Sequence, residues 1–449
     1  MQNLASEKAG SSLAAPDASK PTSEGLVRAV GRWDVVAMTV NGVLGAGIFG
    51  LPAVAFARIG VYSLAGFFVC GALVALIALC FAEVSSRFRE TGGPYLYARA
   101  AFGPAVGFQV GWTTWITRVT AFAANVNLLV AYLGFFLPSA QSGAGRALVI
   151  LLIVLVLTAV NIHGVRDTTR MGNILTFIKL TPLALFLAVG AFYVQPEAFT
   201  AQAPPPSFGE FSSAILILLY TFVGFEMSAI PAGEMRDPQR DQPPGLLIGM
   251  AFLVTLYILI QIVAIGTLPG LGESERPLSD AASVFMGSFG GGLIALGAVM
   301  SILGNLTVVM LVSPRLLFAM AERRELPDFM ASTHPNFHTP HFAIYVTSAV
   351  VLALSLTGTF VHAATISVLA RLLGYAVTCL ALPEFRRTTK APAAKFHAPG
   401  GVAVAVLSLV LLVWLTLQTT ASQAIDMGIA LLIGFVIYLL ARRGTPARA

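Results

Sequence analysis

Apolar residues occur along this chain in long runs, separated by short segments rich in glycine, proline and charge. A run of about 20 apolar residues is long enough to cross a bilayer as a helix. Twelve such runs lie within residues 28–442, and they predict twelve transmembrane helices, spans 1 to 12, of an all-α membrane protein. The spans begin near residues 33, 62, 104, 147, 168, 211, 243, 281, 342, 363, 400 and 424.

Two of these runs are interrupted by glycine at matching places. Span 1 contains Gly45-Ala46-Gly47, and span 6 contains Gly224. Glycine weakens a helix, and the backbone groups that it frees find no water within a bilayer. Such breaks persist where the loosened backbone lines a cavity, so paired breaks indicate a transporter's substrate site near the bilayer midplane.

The spacing of the spans predicts an internal duplication. Spans 1–5 and spans 6–10 begin at corresponding intervals, roughly 180–195 residues apart. Five is an odd number, so the second copy enters the membrane from the opposite side and the repeat is inverted. The predicted organisation is a tail of residues 1–27, a first repeat in 28–195, an inverted repeat in 208–385, spans 11 and 12 in 398–442, and a tail of residues 443–449.

Composition and charge agree with a membrane setting. Hydrophobic residues make up 57% of the chain and charged residues 11%, and the formal net charge is +6. The basic residues are scattered singly over short loops, which disfavours nucleic-acid binding. If both termini lie in the cytoplasm, only Arg58, Arg146 and Arg276 among the 27 lysines and arginines lie on the external side of the membrane. The positive-inside rule therefore predicts cytoplasmic termini, and the short loops indicate a prokaryotic inner membrane.

The residues that carry catalytic or metal chemistry do not form a site in this sequence. The three cysteines lie inside apolar spans, the six histidines are isolated, and no zinc or disulfide spacing is present. No metalloprotease-like motif occurs in the spans, and polar groups concentrate at two breaks rather than in the rings of a channel. We therefore predict neither an enzyme nor a cofactor. The first tail is rich in serine, alanine, proline and charge and is predicted to be disordered.

Four sequence strings resemble the amino acid, polyamine and organocation (APC) transporter superfamily. They are Gly42 to Pro52, Phe81 to Gly103, Thr221 to Pro238 and Arg315 to Pro327. One such motif would be weak evidence, but four in this order on twelve spans are specific for the superfamily. The resemblance implies a leucine-transporter-like fold with a five-plus-five inverted repeat, alternating access around spans 1 and 6, and amino acids or their decarboxylated amines as substrates.

An α-amino acid carries a carboxylate and an ammonium, and both must exchange water for protein partners inside the membrane. The N–H groups of Gly45, Ala46 and Gly47, at the positive end of the outer half of span 1, are predicted to bind the carboxylate. Carbonyl groups near the breaks are predicted to bind the ammonium: Val43, Phe222 and Gly224. By contrast, the four-residue spacing of Gly103, Gly107 and Gly111 predicts close helix packing.

Lys179 is a charged residue inside span 5, where charge is costly and marks a functional candidate. Sodium-coupled relatives of the implied fold hold a cation between spans 1, 5 and 8. The resemblance implies that Lys179 supplies an ammonium there instead, so transport is expected to be sodium-independent. Two roles remain open, a proton carrier and a structural tether of span 1.

Glu226 and Glu83 are the acidic candidates for coupling and gating. Glu226 follows the break of span 6 and either couples transport to protons or accepts a hydrogen bond that fixes the break. Glu83 lies toward the cytoplasmic end of span 2 and is predicted to act as an inner gate or as the ion-pair partner of nearby arginines.

Arg118 lies near the middle of span 3, and two roles remain open for it. Aligned on Trp115, the resemblance to arginine and agmatine exchangers places Arg118 against the substrate, where it repels cationic side chains and attracts a carboxylate. Another alignment shifts the helix by about one turn, roughly 5 Å, and places Asn125 or another position there instead. A structural ion pair is the alternative for Arg118. Arg371 in span 10 is predicted to form such a pair, with a gate contact as its alternative.

Side-chain specificity is predicted to depend on residues of spans 6 and 8, unless their aromatic members serve only as packing: Tyr220, Phe222, Phe225, Asn305 and Leu306. Besides Glu226 no acidic residue is placed to receive a second ammonium, which disfavours polyamines. The predicted function is secondary active transport of a neutral amino acid, as an exchanger or coupled to protons. A cationic amino acid or polyamine antiporter is the alternative, and the sequence does not determine the oligomeric state.

Overall fold

The computed structural model describes residues 30–90, 92–163, 169–200, 204–230, 232, 235–388 and 392–443. Within these residues the chain is helical, and its one β-type contact is an isolated bridge between Val30 and Met235. The predicted tails lie outside the described residues, apart from Arg443, as do Thr91, Gly233 and Glu234 of the motif strings.

In the described part of the chain the α-helices, numbered α1 to α14, are Arg32–Val43, Gly47–Ile59, Ser63–Ser85, Gly93–Phe102, Pro104–Leu133, Gly143–His163, Thr169–Gly190, Phe208–Phe222, Pro238–Thr267, Pro277–Glu322, His341–Thr357, Phe360–Arg387, Val402–Thr416 and Ala421–Arg443. The interruption of span 1 separates α1 from α2. The interruption of span 6 separates α8 from a 3-10 helix at Phe225–Ala229.

Eight helical segments of the described residues are long and apolar enough to cross a membrane, and residues 179–193, 341–357 and 402–416 form shorter apolar helices. The predicted all-helical membrane fold is confirmed. The twelve-span count and the inverted repeat stay predictions. The sequence pattern missed the break at Gly287, whose φ of 65° and ψ of −170° divide the 46 residues of α10. It also missed α4, which is too short and too polar to span.

Helix α5 lies at the centre of the bundle and packs against α4, α10, α11 and α12. In its most apolar window 83% of the residues are buried, whereas the corresponding share is 17% in α6 and in α14. Leucines such as Leu148 and Leu152 are exposed on α6. A helix that is apolar all round with an exposed face is typical of contact with lipid, so α6 and α14 lie at the periphery and α5 supports the interior.

The regularly spaced glycines Gly103, Gly107 and Gly111 have two different roles, whereas the sequence predicted one. Added Cβ atoms on Gly107 and Gly111 would each lie 2.8 Å from a neighbour, Arg99 Cβ and Met320 Sδ respectively, so these two glycines allow close packing. Gly103 instead has a φ of 90° and no atom within 4 Å of an added Cβ. The packing prediction was wrong for Gly103, because it joins α4 to α5 in a conformation that disfavours other residues.

Candidate functional site

The break between α1 and α2 spans residues 44–46. Leu44 has φ −73° and ψ 79°, outside the helical region. The N–H of Gly45 donates to Val43 O at 2.8 Å, so one of the predicted carboxylate donors is already engaged. The N–H groups of Gly47 and Ile48 belong to the first turn of α2, where a helix offers them no acceptor. They lie at the N-terminal, positive end of the helix dipole, which favours the binding of an anion.

Lys179 of α7 is joined to the break. It is 3% exposed, and its Nζ donates to Asn41 Oδ1 at 2.6 Å and to Leu44 O at 3.5 Å. A positive charge therefore lies beside the carbonyl that the break releases. Tyr257 of α9 also donates to this region, from its hydroxyl to Val43 O at 3.4 Å. Lys179 thus contacts span 1 as a tether would.

The break after α8 is formed by Val223 and Gly224. Val223 is extended, and Gly224 has a φ of 115°, in the left-handed region that glycine adopts at low cost. The N–H of Gly224 donates to Glu226 Oε2 at 3.0 Å. Glu226 therefore accepts a hydrogen bond at the break, the contact that one of its two predicted roles requires.

The two breaks are in direct backbone contact. A Cβ added to Gly42 would lie 2.8 Å from Gly224 O, and one added to Gly47 would lie 2.8 Å from Thr221 Cα. Both contacts involve backbone atoms that cannot move aside as a flexible side chain could. Only glycine allows this approach, so the glycine clusters bring the two sets of freed peptide groups together.

Glu226 is also the centre of a buried ion pair. Arg371 Nε lies 3.1 Å from Glu226 Oε1, and the Tyr375 hydroxyl donates to Oε2 at 2.8 Å. Arg371 and Tyr375 are separated by one turn of α12, so both reach the same carboxylate. The structural ion pair predicted for Arg371 is present, and through it α12 is attached to the break after α8.

A second polar group joins three helices beside the break of span 1. The Tyr220 hydroxyl donates to Asn125 Oδ1 at 2.6 Å, and Asn125 Nδ2 donates to Asn305 Oδ1 at 2.8 Å. Asn305 faces the break, because a Cβ added to Gly45 would lie 3.5 Å from its Nδ2. The structure thus brings together Tyr220, Asn305 and Asn125, a position that the alternative alignment of span 3 allowed at the site.

The aromatic residues Phe222 and Phe225 are packed in the core. Both are 0% exposed. Phe222 meets Phe67 and Tyr257 with ring centroids 6.1 and 5.2 Å apart, and Phe225 meets Phe81 at 5.2 Å. Their side chains therefore form packing contacts, one of the two interpretations that the sequence left open.

Arg118 lies beside a small cavity rather than in a closed ion pair. It is 4% exposed, and its Nη2 contacts Met227 Sδ at 3.1 Å. Among the described residues no carboxylate oxygen lies within 4.0 Å of its guanidinium. The cavity has a volume of about 30 Å³ and lies between α4, α5, α12 and the 3-10 helix; its lining includes Pro94, Thr113, Thr117, Arg118, Glu226, Arg371 and Tyr375.

Glu83 lies in the last turn of α3 and binds two arginines. Its carboxylate is 2.6 Å from Arg386 Nη2 and 3.5 Å from Arg87 Nη2, and Oε2 also accepts from the N–H of Ala398 at 2.8 Å. The ion pairing predicted for Glu83 is present. It joins α3 to the end of α12 and to the segment before α13.

A further polar cluster joins α4 to the end of α10. Glu325 binds Arg99 Nη1 at 2.7 Å and accepts from the Tyr95 hydroxyl at 3.0 Å, while Arg323 Nη1 donates to that hydroxyl at 3.0 Å. Burial, together with the Glu325 carboxylate, raises the pKa of Tyr95. The hydroxyl therefore stays protonated and continues to donate.

Sequence reasoning missed three partners in the site, Asn41, Tyr257 and Tyr375. Asn41 carried a signal, because it is an amide inside an apolar span next to the glycine string. Tyr375 carried a weaker one, since it lies one turn from the charged Arg371. Tyr257 lies in an unbroken apolar run, and nothing in its local sequence distinguishes it from a packing residue.

The amino-acid sequence of this chain matches known proteins over almost its whole length. The model of the amino acid permease family matches residues 30–440. The chain belongs to the amino acid permease family.

Individual members of this permease family match over almost the whole chain. The serine/threonine exchanger SteT of Bacillus subtilis is 28% identical over 421 residues, covering 91% of this chain and 95% of the relative. The branched-chain amino acid permease BcaP of the same organism is 24% identical, covering 93% and 94%. Its methylthioribose transporter is 26% identical, covering 94% and 95%.

These matches confirm the resemblance to the APC superfamily and the prediction of a transporter rather than an enzyme. This permease is a multi-pass membrane protein of a family whose members carry small molecules such as amino acids. The family match does not assign roles to individual residues, so the proposed site depends on the geometry above.

Proposed function

We propose that this permease is a sodium-independent, secondary active transporter that moves a neutral amino acid by alternating access around the two breaks. The observation that carries the proposal is the backbone contact between the breaks at Gly42 and Gly224. Peptide groups released from two helices converge there inside an apolar bundle, which suits a zwitterion better than an apolar or uncharged molecule.

The carboxylate of the substrate is proposed to bind the N–H groups of Ala46 and Gly47, at the start of α2. The ammonium is proposed to bind carbonyl oxygens of Val43, Phe222 and Gly224. Gly224 O accepts one hydrogen bond within the protein, and a carbonyl oxygen has two lone pairs, so it can accept another. Val43 O accepts from the Gly45 N–H at 2.8 Å and from the Tyr257 hydroxyl at 3.4 Å, so the ammonium is proposed to replace the longer of these two contacts.

The charges around the breaks favour a side chain without positive charge. Glu226 is the acidic residue at the described site, and Arg371 and Tyr375 occupy its carboxylate. Lys179 and Arg118 add buried positive charge. A second ammonium on the substrate would meet repulsion without a free partner, which disfavours lysine, arginine and polyamines. Tyr220 and Asn305 are proposed to shape the side-chain pocket.

The coupling mechanism is proposed to use fixed charges in place of bound sodium. Lys179 already supplies a cation beside Leu44 O, so a sodium ion there would add repulsion. Glu226 and Lys179 are the proposed proton-linked groups if the protein is a symporter, and they are only structural if it is an exchanger. Glu83, held between Arg87 and Arg386, is proposed to close the inner end.

The proposed topology has twelve spans, an inverted five-helix repeat and both termini in the cytoplasm. The proposed location is the inner (plasma) membrane of a prokaryotic cell. The distribution of lysine and arginine supports the topology. Cysteine labelling from outside the cell provides a check at two exposed positions, Arg58→Cys and Lys395→Cys. The proposed topology expects a membrane-impermeant reagent to modify the variant at 58 and to spare the one at 395.

The substrate proposal is tested by measuring the thermal stability of the purified protein with candidate ligands. A ligand that binds only the folded state raises the unfolding temperature. Neutral amino acids such as serine and leucine are expected to stabilise the protein, whereas arginine, agmatine, putrescine and methylthioribose are not. Stabilisation by methylthioribose or by the cationic compounds alone would contradict the proposal.

Uptake into liposomes that contain the protein then separates the mechanisms. Uptake of a stabilising amino acid is expected to saturate and to be independent of sodium. Stimulation by unlabelled substrate inside the vesicle identifies an exchanger, and stimulation by an inward proton gradient identifies a symporter. Uptake that does not saturate, or that requires sodium, would exclude the proposed carrier mechanism.

A further inference from the structure

Arg118 and the cavity beside it are not needed for the contact between the two breaks. We propose that they form a separate carboxylate-binding station, on the α4 side of the breaks, which receives an anionic group of the substrate. This inference rests on the proposed function for the identity of the substrate, but the presence of the station can be tested without it.

The side chains that face the cavity have unused hydrogen-bonding capacity. Arg118 Nε and Nη1 and Thr117 Oγ1 are buried without a hydrogen-bond partner among the described residues. The remaining nitrogen, Nη2, contacts the weak acceptor Met227 Sδ. A guanidinium without an anion is costly in an apolar interior, and such cations usually pair or bind a ligand.

The charges around the cavity leave one positive charge uncompensated. Arg118 and Arg371 contribute two cations and Glu226 one anion. Oε1 of Glu226 forms an ion pair with Arg371 Nε at 3.1 Å, and Oε2 accepts from the Tyr375 hydroxyl at 2.8 Å and from the Gly224 N–H at 3.0 Å. The single negative charge of Glu226 is thus paired with Arg371, and neither of its oxygens lies within 4.0 Å of the Arg118 guanidinium. One further anion would complete the cluster.

The size and shape of the cavity favour a carboxylate. Its volume of about 30 Å³ exceeds what one water needs but is too small for a whole amino acid. A planar guanidinium matches a planar carboxylate with two parallel hydrogen bonds, a geometry that a spherical ion cannot use. The hydroxyl of Thr117 can donate a third bond.

The position of Arg118 relates the station to the substrate path. Arg118 and Asn125 are seven residues apart on α5, so they share a face and lie roughly 10 Å apart along the axis. Asn125 contacts Asn305 beside the first break, whereas Arg118 shares its cavity with Pro94 of α4. A group leaving the breaks toward α4 therefore meets Arg118.

Two sources of the carboxylate are compatible with this geometry. It is either the α-carboxylate of a neutral amino acid in transit or the side-chain carboxylate of an acidic one. Acetate supplies the shared chemistry without the rest of an amino acid. Acetate, leucine and glutamate are therefore the probes for the following experiment, and chloride at equal ionic strength controls for a general anion effect.

The variants are Arg118→Gln, Arg118→Lys and, as a control with the same change of charge, Arg58→Gln at an exposed position. Acetate is expected to raise the unfolding temperature of the wild type and of R58Q, but not of R118Q. Without ligand, R118Q is expected to be at least as stable as the wild type, because an unpaired buried charge is removed. R118K keeps the charge but loses the planar fork, so its affinity for acetate is expected to fall about tenfold.

The amino acid probes identify the source. A Kd raised about tenfold in R118Q for both leucine and glutamate assigns the α-carboxylate, and a rise for glutamate alone assigns the side chain. The station is excluded if acetate does not stabilise the wild type, if R118Q keeps the effect, if chloride equals acetate, or if R118Q without ligand is less stable than the wild type. Acetate binding without binding of any amino acid would instead refute the proposed function and leave the station intact.

Discussion

Gly42 and Gly224 bring the two interrupted helices so close that a Cβ on Gly42 would lie 2.8 Å from the Gly224 carbonyl oxygen. The obstacle is backbone, so the helices must separate to admit a methyl group. We expect Gly42→Ala to reduce uptake strongly and to lower the free energy of unfolding by about 1–3 kcal/mol. Thermal stability and liposome uptake measure the two effects.

Gly428→Ala in α14 is the matched control for this prediction. A Cβ there meets no atom within 4 Å, and alanine favours a helix more than glycine by about 1 kcal/mol. Stability is expected to stay equal or to rise, with uptake unchanged. If both variants lost stability and uptake to the same degree, the close contact between the breaks would not explain why position 42 requires glycine.

Glu226 and Arg371 form a buried pair in which each needs the other. Glu226→Gln keeps an oxygen for Tyr375 and for the N–H of Gly224 but leaves Arg371 without a counter-charge. Breaking such a pair costs about 3–5 kcal/mol. We expect either single variant to unfold at lower temperature and the double variant E226Q/R371Q to recover part of the loss.

A double-mutant cycle on unfolding free energies measures this coupling. The pH profile of uptake by the double variant adds a second readout. A profile like that of the wild type would show that Glu226 fixes the break and carries no proton. Additive single effects would instead contradict a direct pair.

Lys179 holds the first break through Asn41 and Leu44. Lys179→Met removes a charged donor from both acceptors, and we expect uptake to fall about tenfold or more, since a hydrogen bond to a charged group contributes roughly 1.5–3 kcal/mol. Sodium is not expected to restore uptake. Lys395→Met, at an exposed lysine, is the control and is expected to transport normally.

Lys179→Gln separates the two roles left open for this residue. Glutamine can still donate to Asn41 Oδ1 but carries no proton. If the variant transports with the wild-type pH profile, Lys179 is a tether. If transport persists but no longer responds to pH, Lys179 carries the proton.

Tyr95 connects Glu325 to two arginines at the end of α10. Tyr95→Phe is expected to lower stability by about 1 kcal/mol. The pKa of the hydroxyl is raised by burial and by Glu325, so its contribution is fully present below the unfolded value of about 10 and is lost as pH rises through the folded value. The stability difference between wild type and Y95F is therefore expected to be constant near neutrality and to shrink in alkaline solution.

Thermal unfolding of both proteins at several pH values measures this difference. Tyr345→Phe, at an exposed tyrosine of α11, is the control and is expected to leave neutral-pH stability unchanged. A difference that grows with alkaline pH would contradict the sign of the pKa shift.

The local sequence predicted a structural feature correctly where a residue type is tolerated in few environments. The glycines at 45, 47 and 224 mark the breaks because glycine both weakens a helix and permits close backbone approach. Lys179 and Glu226 were found because charge inside an apolar run requires a partner. The role of Gly103 was predicted wrongly, since its spacing resembles a packing stripe while its backbone makes a turn.

The sequence by itself determined that this protein is a helical membrane transporter and where two of its apolar runs are interrupted, because hydropathy and glycine act locally along the chain. The tertiary structure decided which of those groups are already engaged, that Phe222 and Phe225 are packing residues, and that Arg118 faces a cavity without an ion-pair partner among the described residues. These outcomes depend on the rotation and depth of one helix against another. That geometry is set by side chains far apart in the chain, which no local pattern records.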